Sequence, residues 1–335
     1  MRITSRNTVF LFLLAFAFSG FLHARGNTGN SARPLTIYSF RGPSGVGMIR
    51  LFEEPPTVPG FDVKLEALAQ VDLMAARFIS GEAKVGVLPP NIAAKITSSG
   101  KDIRAAAIIG TGMLSLLSSD PDVRSLKDLK GKTVEVAAQG ATPEYVFRKL
   151  LVTQGLIPDQ DVKLDYSLAY PEIAQSLIAG RISIALFPEP FVTMALMGRP
   201  DLRSVTDIQE AWIKATGAEN NSAAMQMNYP MIIIVIDGAF ADTNAAAVEE
   251  ILRAVKNSIE WVNANPVEAG ALVEKHDLGL SAAVAAAAIP KSNYVFIPAR
   301  EGRPSMEVLF RVFLENAPVS IGGSLPGDRF YLKLK

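Results

Sequence analysis

The chain has no cysteine and only two histidines, and these shortages exclude several kinds of chemistry. Without thiols there is no disulfide, no thiolate nucleophile and no cysteine-based metal site. One histidine falls in the N-terminal segment. The other, His276, lies in the charged stretch EKHDLGL, where a solvated surface position is expected. The motifs GxSxG, HExxH and GxxxxGK[ST] are also absent. We therefore expect no enzyme, no metal site and no cofactor.

The sequence also lacks an excess of either charge. Lysine plus arginine and aspartate plus glutamate both number 33, so the formal net charge is +0. Because no long basic stripe occurs either, we expect no nucleic-acid partner. A chain of 335 residues, 49% of them hydrophobic, is longer than one hydrophobic core usually serves. Two compact units are therefore predicted.

Residues 1–24 have the pattern of a cleavable signal peptide. Arg2 and Arg6 precede the apolar run of residues 9–18, and a stretch rich in Gly, Asn and Ser follows at 26–31. An apolar run this short cannot span a bilayer core of ~30 Å. A buried N-terminal helix is the alternative. We predict that this segment is removed and that the mature protein is exported in soluble form.

One pattern occurs twice in the chain, as GEAKVGVLPPNIAAKI at residues 81–96 and GRISIALFPEPFVTMAL at 180–196. Each copy follows a helix-prone run and continues as a glycine, a short apolar strand, prolines and a second helix-prone run. Strands that are apolar without alternation fit a parallel sheet covered on both faces. The fold class predicted is α/β with two similar lobes. Lobe 1 takes residues 34–112 and 237–335, and lobe 2 takes 113–236.

Ligands of open α/β sheets bind outside the carboxyl ends of the strands. The turn RGPSGVG at residues 41–47 can hold a polar group on its amides, although a plain tight turn is an equal alternative. Gly112 ends a Gly-x-Gly that can serve as a hinge between lobes or as a simple turn. Thr142 is predicted to cap a helix that follows a strand. The candidate ligand-binding residues are Phe40, Arg41, Ser44, Pro90, Asn91, Gly112, Gly140, Ala141, Thr142 and Glu189.

Glu189 is the most informative single candidate, since its carboxylate stands between two prolines just past a buried strand. It can accept a hydrogen bond from a ligand or pair with Arg41 across a cleft. The alternative is that it satisfies amides at the start of the next helix. Aromatic residues near strand ends can stack on a flat ligand or belong to the core. These are Tyr38, Phe40, Tyr170, Phe187 and Phe191.

From about Leu35 to the C-terminus the sequence resembles the nitrate/sulfonate/taurine type of ABC-transporter substrate-binding proteins, a group that includes thiamine-pyrimidine binding proteins. The order and spacing of six blocks carry the resemblance together. The blocks are GEAKVGVLPPNIAAKI, LKDLKGKTVEV, GATPEYVFRKLL, AGRISIALFPEPFV, SIEWVNANP and IGGSLPGDRFY.

The resemblance implies a type II periplasmic binding fold whose two lobes close on a small polar or anionic molecule. It implies delivery to a membrane permease with its ATPase. It also places ligand contacts near Ser44, at Pro90 and Asn91, at residues 140–142 and at Glu189. The chain departs from the family in lacking a lipid-anchor cysteine, so we expect a monomer free in the periplasm. The alternatives are an enzyme on this fold, acting on a menaquinone or thiamine precursor, and a sensor or scaffold with a degenerate cleft.

Overall fold

Strands form two separate sheets in the part of the chain that the computed structural model describes, residues 32–217 and 228–333. The segment predicted as a signal peptide, residues 1–24, lies outside these ranges. Within the ranges, no helix is both long enough and apolar enough to cross a bilayer.

The first sheet has six strands in the spatial order β11-β4-β10-β3-β1-β2. Strands β1, β2 and β3 run parallel, while β10 runs antiparallel to β3 and β4. The central strand β3 is a continuous buried run, as expected for a strand covered on both faces, whereas the edge strand β2 is partly exposed. The strands are β1 (Arg33–Phe40), β2 (Phe61–Leu68), β3 (Val85–Leu88), β4 (Ile103–Thr111), β10 (Pro230–Asp237) and β11 (Tyr294–Pro298).

The second sheet has five strands in the order β7-β6-β8-β5-β9. Strands β6, β7 and β8 are parallel, and β5 is antiparallel to β8. Each sheet with its helices forms one lobe, so the two-lobed α/β prediction is confirmed. The strands are β5 (Leu114–Ser118), β6 (Thr133–Val136), β7 (Lys163–Asp165), β8 (Ile184–Pro188) and β9 (Arg203–Ser204).

The helices connect the strands and cover the sheets. They are α1 (Pro43–Gly47), α2 (Ile49–Glu53), α3 (Val71–Ser80), α4 (Pro90–Ser98), α5 (Thr142–Thr153), α6 (Tyr170–Ile178), α7 (Phe191–Gly198), α8 (Ile208–Thr216), α9 (Gly238–Thr243), α10 (Ala245–Ala264), α11 (Pro266–Lys275), α12 (Ala282–Ala288) and α13 (Arg303–Asn316). The repeated sequence pattern forms α3–β3–α4 in one lobe and α6–β8–α7 in the other. Gly81 ends α3 in the left-handed conformation that glycine adopts without strain.

Strand β10 differs from the predicted lobe boundary. Residues 230–236 fall in the range predicted for lobe 2, yet β10 pairs with β3 and β4 in the first sheet. The C-terminal tail returns to the same lobe, as expected, because the amide of Leu332 donates to the carbonyl of Ala105 at 2.8 Å.

The chain passes between the lobes at Gly112 and Tyr229. The Gly112 amide donates to the Tyr229 carbonyl at 3.0 Å, and Asn293 Nδ2 donates to the Gly112 carbonyl at 2.8 Å. Gly112 has a positive φ of 48°, and a Cβ there would lie 1.8 Å from Asn228 Nδ2. This crossing therefore requires glycine for both its backbone conformation and its space.

We expect Gly112→Ala to lower the free energy of unfolding more than Gly140→Ala does. Both positions have positive φ, which costs a non-glycine residue about 1–2 kcal/mol. Only the first also displaces Asn228, whose Oδ1 accepts from the Tyr229 amide at 3.0 Å. Urea unfolding of the two variants measures the difference, and equal losses would contradict the steric argument at Gly112.

Candidate functional site

Strand ends from both sheets face each other at one place. In the first sheet, the carboxyl ends of β1, β2 and β3 lie at one edge, and the start of antiparallel β10 joins them because Ile233 pairs with Leu88. In the second sheet, the end of β8 lies beside the start of β5, since Pro188 pairs with Leu114. Prolines after β3 and at the end of β8 stop each ladder there, because proline has no amide to donate.

A cavity of 140 Å³ lies between these edges. The first lobe lines it with the ends of its parallel strands and the start of β10, and the second lobe contributes from β8, the start of α6 and the residue before β5. Lining side chains of the first lobe include Phe40, Arg41, Ser44, Leu88, Pro89 and Ile232, and those of the second include Met113, Tyr170 and Pro188.

Phe40, Arg41 and Ser44 all line the cavity. The turn predicted at residues 41–47 is largely helical, because the short helix α1 begins at Pro43. Ser44 Oγ accepts from the Phe40 amide at 3.0 Å and so fixes the strand end against the helix. Arg41 is exposed beside the cavity. The lobes are close here, since a Cβ on Gly42 would lie 3.3 Å from the Phe191 ring of the second lobe.

Asn91 joins the lobes directly. It is the second residue of α4 in the first lobe, and its Nδ2 donates to the Gly140 carbonyl of the second lobe at 2.9 Å. The residue is fully buried, and its Oδ1 has no hydrogen-bond partner in the described part of the chain. Two predicted site residues from different lobes are thus in contact.

Thr142 lies beside this contact but not in the role predicted for it. The prediction that Thr142 caps α5 is wrong, because Ala141 occupies the N-cap position and Thr142 is the first helical residue. Instead, Glu144 reaches back, and its Oε2 accepts from the Gly140 amide at 2.6 Å. A carboxylate in the first helical turn satisfies free amides and interacts well with the helix dipole. Thr142 Oγ1 is buried and has no partner among the described residues.

Glu189 is buried just after β8, and Pro188 before it lines the cavity. Its Oε2 accepts from the Thr193 amide at 2.9 Å and its Oε1 from Thr193 Oγ1 at 3.0 Å. These contacts match the helix-capping alternative, and no ion pair with Arg41 occurs between these two described residues. Burial raises the pKa of Glu189, and the hydrogen bonds from Thr193 oppose that rise. A direct ligand contact by Glu189 stays a prediction.

Three other candidates, Pro90, Gly112 and Ala141, stand next to the cavity or to the contact between lobes without lining the cavity themselves; Pro89 and Met113 line it in their place. Among the aromatic candidates, Phe40 and Tyr170 line the cavity. Phe187 is core, and the Tyr38 ring packs under the guanidinium of Arg77.

Sequence analysis missed the apolar residues of the cavity wall. Met113, Met231 and Ile232 come from the starts of β5 and β10 or just before, where antiparallel strands bring their amino ends to the ligand edge. The rule used for prediction considers only carboxyl ends of parallel strands. Met231 and Ile232 could have been found only by recognising that β10 is antiparallel. The periodicity of a sequence does not show in which direction a strand runs.

The described ranges contain no cluster of metal-binding side chains, since no group of three or more His, Asp or Glu side chains is placed there to hold a metal ion. His276 does not line the cavity, and its Nε2 is 2.9 Å from Glu53 Oε2. The cavity offers an apolar wall, the exposed guanidinium of Arg41 and the hydroxyls of Ser44 and Tyr170.

Two α/β lobes with a cavity between facing sheet edges define the class of type II periplasmic binding proteins. The chain belongs to the NMT1/THI5-like family, whose model matches residues 58–269, more than half of the sequence. No curated protein matches the chain.

Solved structures share the fold over most of their length. An ABC transporter protein from Parabacteroides distasonis is 24% identical, with a TM-score of 0.74 over 90% of this chain and 99% of that one. The periplasmic aliphatic sulphonate binding protein of Escherichia coli is 16% identical, with a TM-score of 0.69 over 91% and 94%. The periplasmic nitrate-binding protein of Synechocystis is 13% identical, with a TM-score of 0.62 over 89% and 83%. The resemblance found in the sequence is confirmed at the level of fold.

Proposed function

We propose that the chain is an extracytoplasmic solute-binding protein that captures a small molecule between its lobes and delivers it to an ABC permease. The observation that carries the proposal is the cavity to which both lobes contribute, beside the hydrogen bond from Asn91 to Gly140. A single-lobed site would bind a solute without any change that a permease can detect.

Ligand binding drives closure when only the closed state lets the ligand contact both lobes at once. The shift in the open–closed equilibrium then equals the difference in ligand affinity between the two states. Here the walls of the cavity come from different lobes, so separating the lobes removes Tyr170 and Met113 from a ligand that stays on Phe40 and Leu88. The closed pair of lobes presents a composite surface to the permease.

We propose a monomer in the periplasm, exported through a signal peptide in residues 1–24 and not tethered by a lipid-anchor cysteine. The permease and its ATPase are the partners. The titles of the similar structures name a sulphonate and nitrate as ligands of those proteins. For this chain we propose a small polar or anionic solute, with Arg41 as the cationic residue that lines the cavity.

Native mass spectrometry of the protein purified from its host tests the function. We expect a bound small molecule that is recovered chemically unchanged and that stabilises the purified protein when added back. At ligand a hundredfold above its dissociation constant the stabilisation is about 2.7 kcal/mol, which a thermal-unfolding assay detects easily. Conversion of the molecule during incubation would favour the enzyme alternative. Absence of any bound or stabilising molecule would contradict solute binding.

A further inference from the structure

The wall of the cavity between the lobes is almost entirely apolar. Ten of its thirteen lining residues carry side chains with no hydrogen-bonding group, and they come from both lobes. These apolar residues include Leu88, Pro89, Met113, Pro188, Met231 and Ile232. Burying a polar group against such a wall costs free energy unless it finds a hydrogen bond. The wall thus favours an apolar part of a ligand.

Three polar side chains line the wall, those of Arg41, Ser44 and Tyr170. Ser44 Oγ accepts from the Phe40 amide, and both carboxylate oxygens of nearby Glu189 accept from Thr193. Arg41, the charged lining residue, is exposed and so stands towards solvent. A buried oxyanion would have no buried cation to pair with on this wall, and unpaired buried charges are strongly disfavoured.

Among the described residues, Tyr170 is the polar lining residue that is neither engaged in a hydrogen bond nor charged. It begins α6 and lines the cavity, and its hydroxyl has no hydrogen-bond partner within the described ranges. Loss of solvent raises the pKa of Tyr170 to about 12, so its phenol stays neutral at physiological pH. A neutral phenol can donate or accept one hydrogen bond.

The size of the cavity limits the body of the ligand. Apolar cavities of about 150 Å³ hold a molecule the size of benzene. The cavity between the lobes measures 140 Å³. A bare inorganic oxyanion would leave most of this wall without contacts.

We propose that this site selects a solute with an apolar body about the size of a benzene ring and one polar head group, the body lying on the wall shared by the lobes and the head near Tyr170 and Arg41. The inference rests on the proposed solute-binding function and adds the chemistry of its ligand. It makes the body, rather than the head group, the main source of affinity.

Two pairs of probes test the inference by calorimetry, each pair sharing a head group. The pairs are methanesulfonate with benzenesulfonate and ethanol with benzyl alcohol. In each pair, we expect the phenyl compound to bind at least about tenfold more tightly than the methyl-ended compound, because it buries more apolar surface. Methyl members that bind as tightly as phenyl members, or the binding of no probe at all, would overturn the inference. The molecule carried from the host decides the proposed function separately.

A matched pair of variants locates the binding. Val71 begins α3 and lines the cavity, whereas Leu73, two residues further on, is 45% exposed and is not part of the wall. An acid in the first turn of a helix is well tolerated, so Val71→Asp and Leu73→Asp should both fold. We expect Val71→Asp to weaken the binding of the phenyl probes at least about tenfold, since it places a carboxylate in the apolar wall. Leu73→Asp should leave it unchanged.

Tyr170→Phe gives an independent readout for the head group. We expect it to weaken the binding of benzyl alcohol several-fold, because the phenol hydroxyl of the wall is lost. Benzenesulfonate, whose head can still reach Arg41, should be affected less. Equal effects of Val71→Asp and Leu73→Asp would overturn the placement of the body, and an unaltered affinity of Tyr170→Phe for benzyl alcohol would overturn that of the head.

Discussion

Asn91→Asp should weaken ligand binding by about 30-fold or more and shift the protein towards an open arrangement of its lobes. The substitution replaces the amide that donates to the Gly140 carbonyl by a carboxylate that cannot donate. Two oxygens would then face each other at a fully buried position. Losing the bond and desolvating a charge together cost about 2–3 kcal/mol in the closed state. An open state lets the new carboxylate reach water and avoids that cost.

The absence of cysteine makes the opening directly measurable. Val152 and Val319 are exposed residues of the second and first lobe, and cysteines introduced there can each carry a spin label. We expect the distance distribution of the labelled Asn91→Asp protein to extend to longer distances than in the parent. Added host ligand should narrow the parent's distribution and act on the variant only at higher concentration.

Asn316→Asp is the matched control for this prediction. Asn316 Nδ2 also donates to a backbone carbonyl, that of Val312 at 2.8 Å, but within the exposed end of α13. The same change of side chain there alters no contact between the lobes. If Asn91→Asp left affinity and distances as they are in Asn316→Asp, the Asn91 contact would not contribute to closure.

Helix α5 connects the Asn91 contact to two further contacts between the lobes. Gly140 stands just before α5, and the same helix reaches the first lobe again through Tyr145, whose ring lies 4.5 Å from that of Phe313, and Lys149, which pairs with Glu315 at 3.0 Å. Helix α5 and the residue before its N-cap thus carry three contacts to the first lobe. Because a helix moves as a rigid unit, opening the contact at Gly140 also displaces the other two.

Much of the architecture could be predicted because its signals are local. Glycine after a helix, an unbroken apolar strand and a proline that stops it are each fixed by backbone chemistry, and they placed β3 and β8 correctly. The direction of β10 was not predictable in this way, because all eight of its residues are buried and the run is apolar up to Asp237.

The site was harder to predict than the fold for a related reason. Phe40, Arg41 and Ser44 follow a parallel strand, where the position of ligands is known in general, and all three line the cavity. Met231 and Ile232 have the same apolar character as core residues, and only the packing of two lobes turns their side chains into a cavity wall. Thr142 failed as a cap because α5 begins one residue earlier than predicted, with Ala141 at the N-cap position, and the sequence does not fix a helix start to a single residue.

A cluster of charges holds the C-terminal segment and α9 to the first sheet, and its central residue is Arg104. The Arg104 guanidinium contacts Asp242 through two bonds of 2.6 and 2.7 Å and Asp102 through bonds of 3.2 and 2.9 Å. Arg329 of the C-terminal segment adds a bond of 2.8 Å to Asp102. The hydrogen bonds from Arg104 and Arg329 lower the pKa of Asp102 to about 2, and the pKa of Asp242 is lowered chiefly by Arg104.

Arg104→Met should lower the free energy of unfolding at pH 7 by about 2 kcal/mol, since it removes the cation from two carboxylates while keeping the apolar stem. The pKa shift of Asp102 corresponds to about that energy, reduced by the partial exposure of its side chain. A lowered pKa stabilises the fold above the ordinary value of 3.8, and the effect disappears as the pH falls towards 2. The parent should therefore lose stability between pH 4 and pH 2 more steeply than the variant.

Arg329→Met separates the contribution of the buried cation from that of the cluster's total charge. The Arg329 side chain is 73% exposed and contacts the same Asp102, whereas that of Arg104 is 10% exposed. Exposed ion pairs contribute little, so Arg329→Met should cost less than about 1 kcal/mol and leave most of the acid dependence in place. Urea unfolding at pH 7, 4 and 2.5 compares the two variants. Equal losses would mean that burial of Arg104 adds nothing, and an unchanged acid slope in Arg104→Met would remove Asp102 as the titrating group.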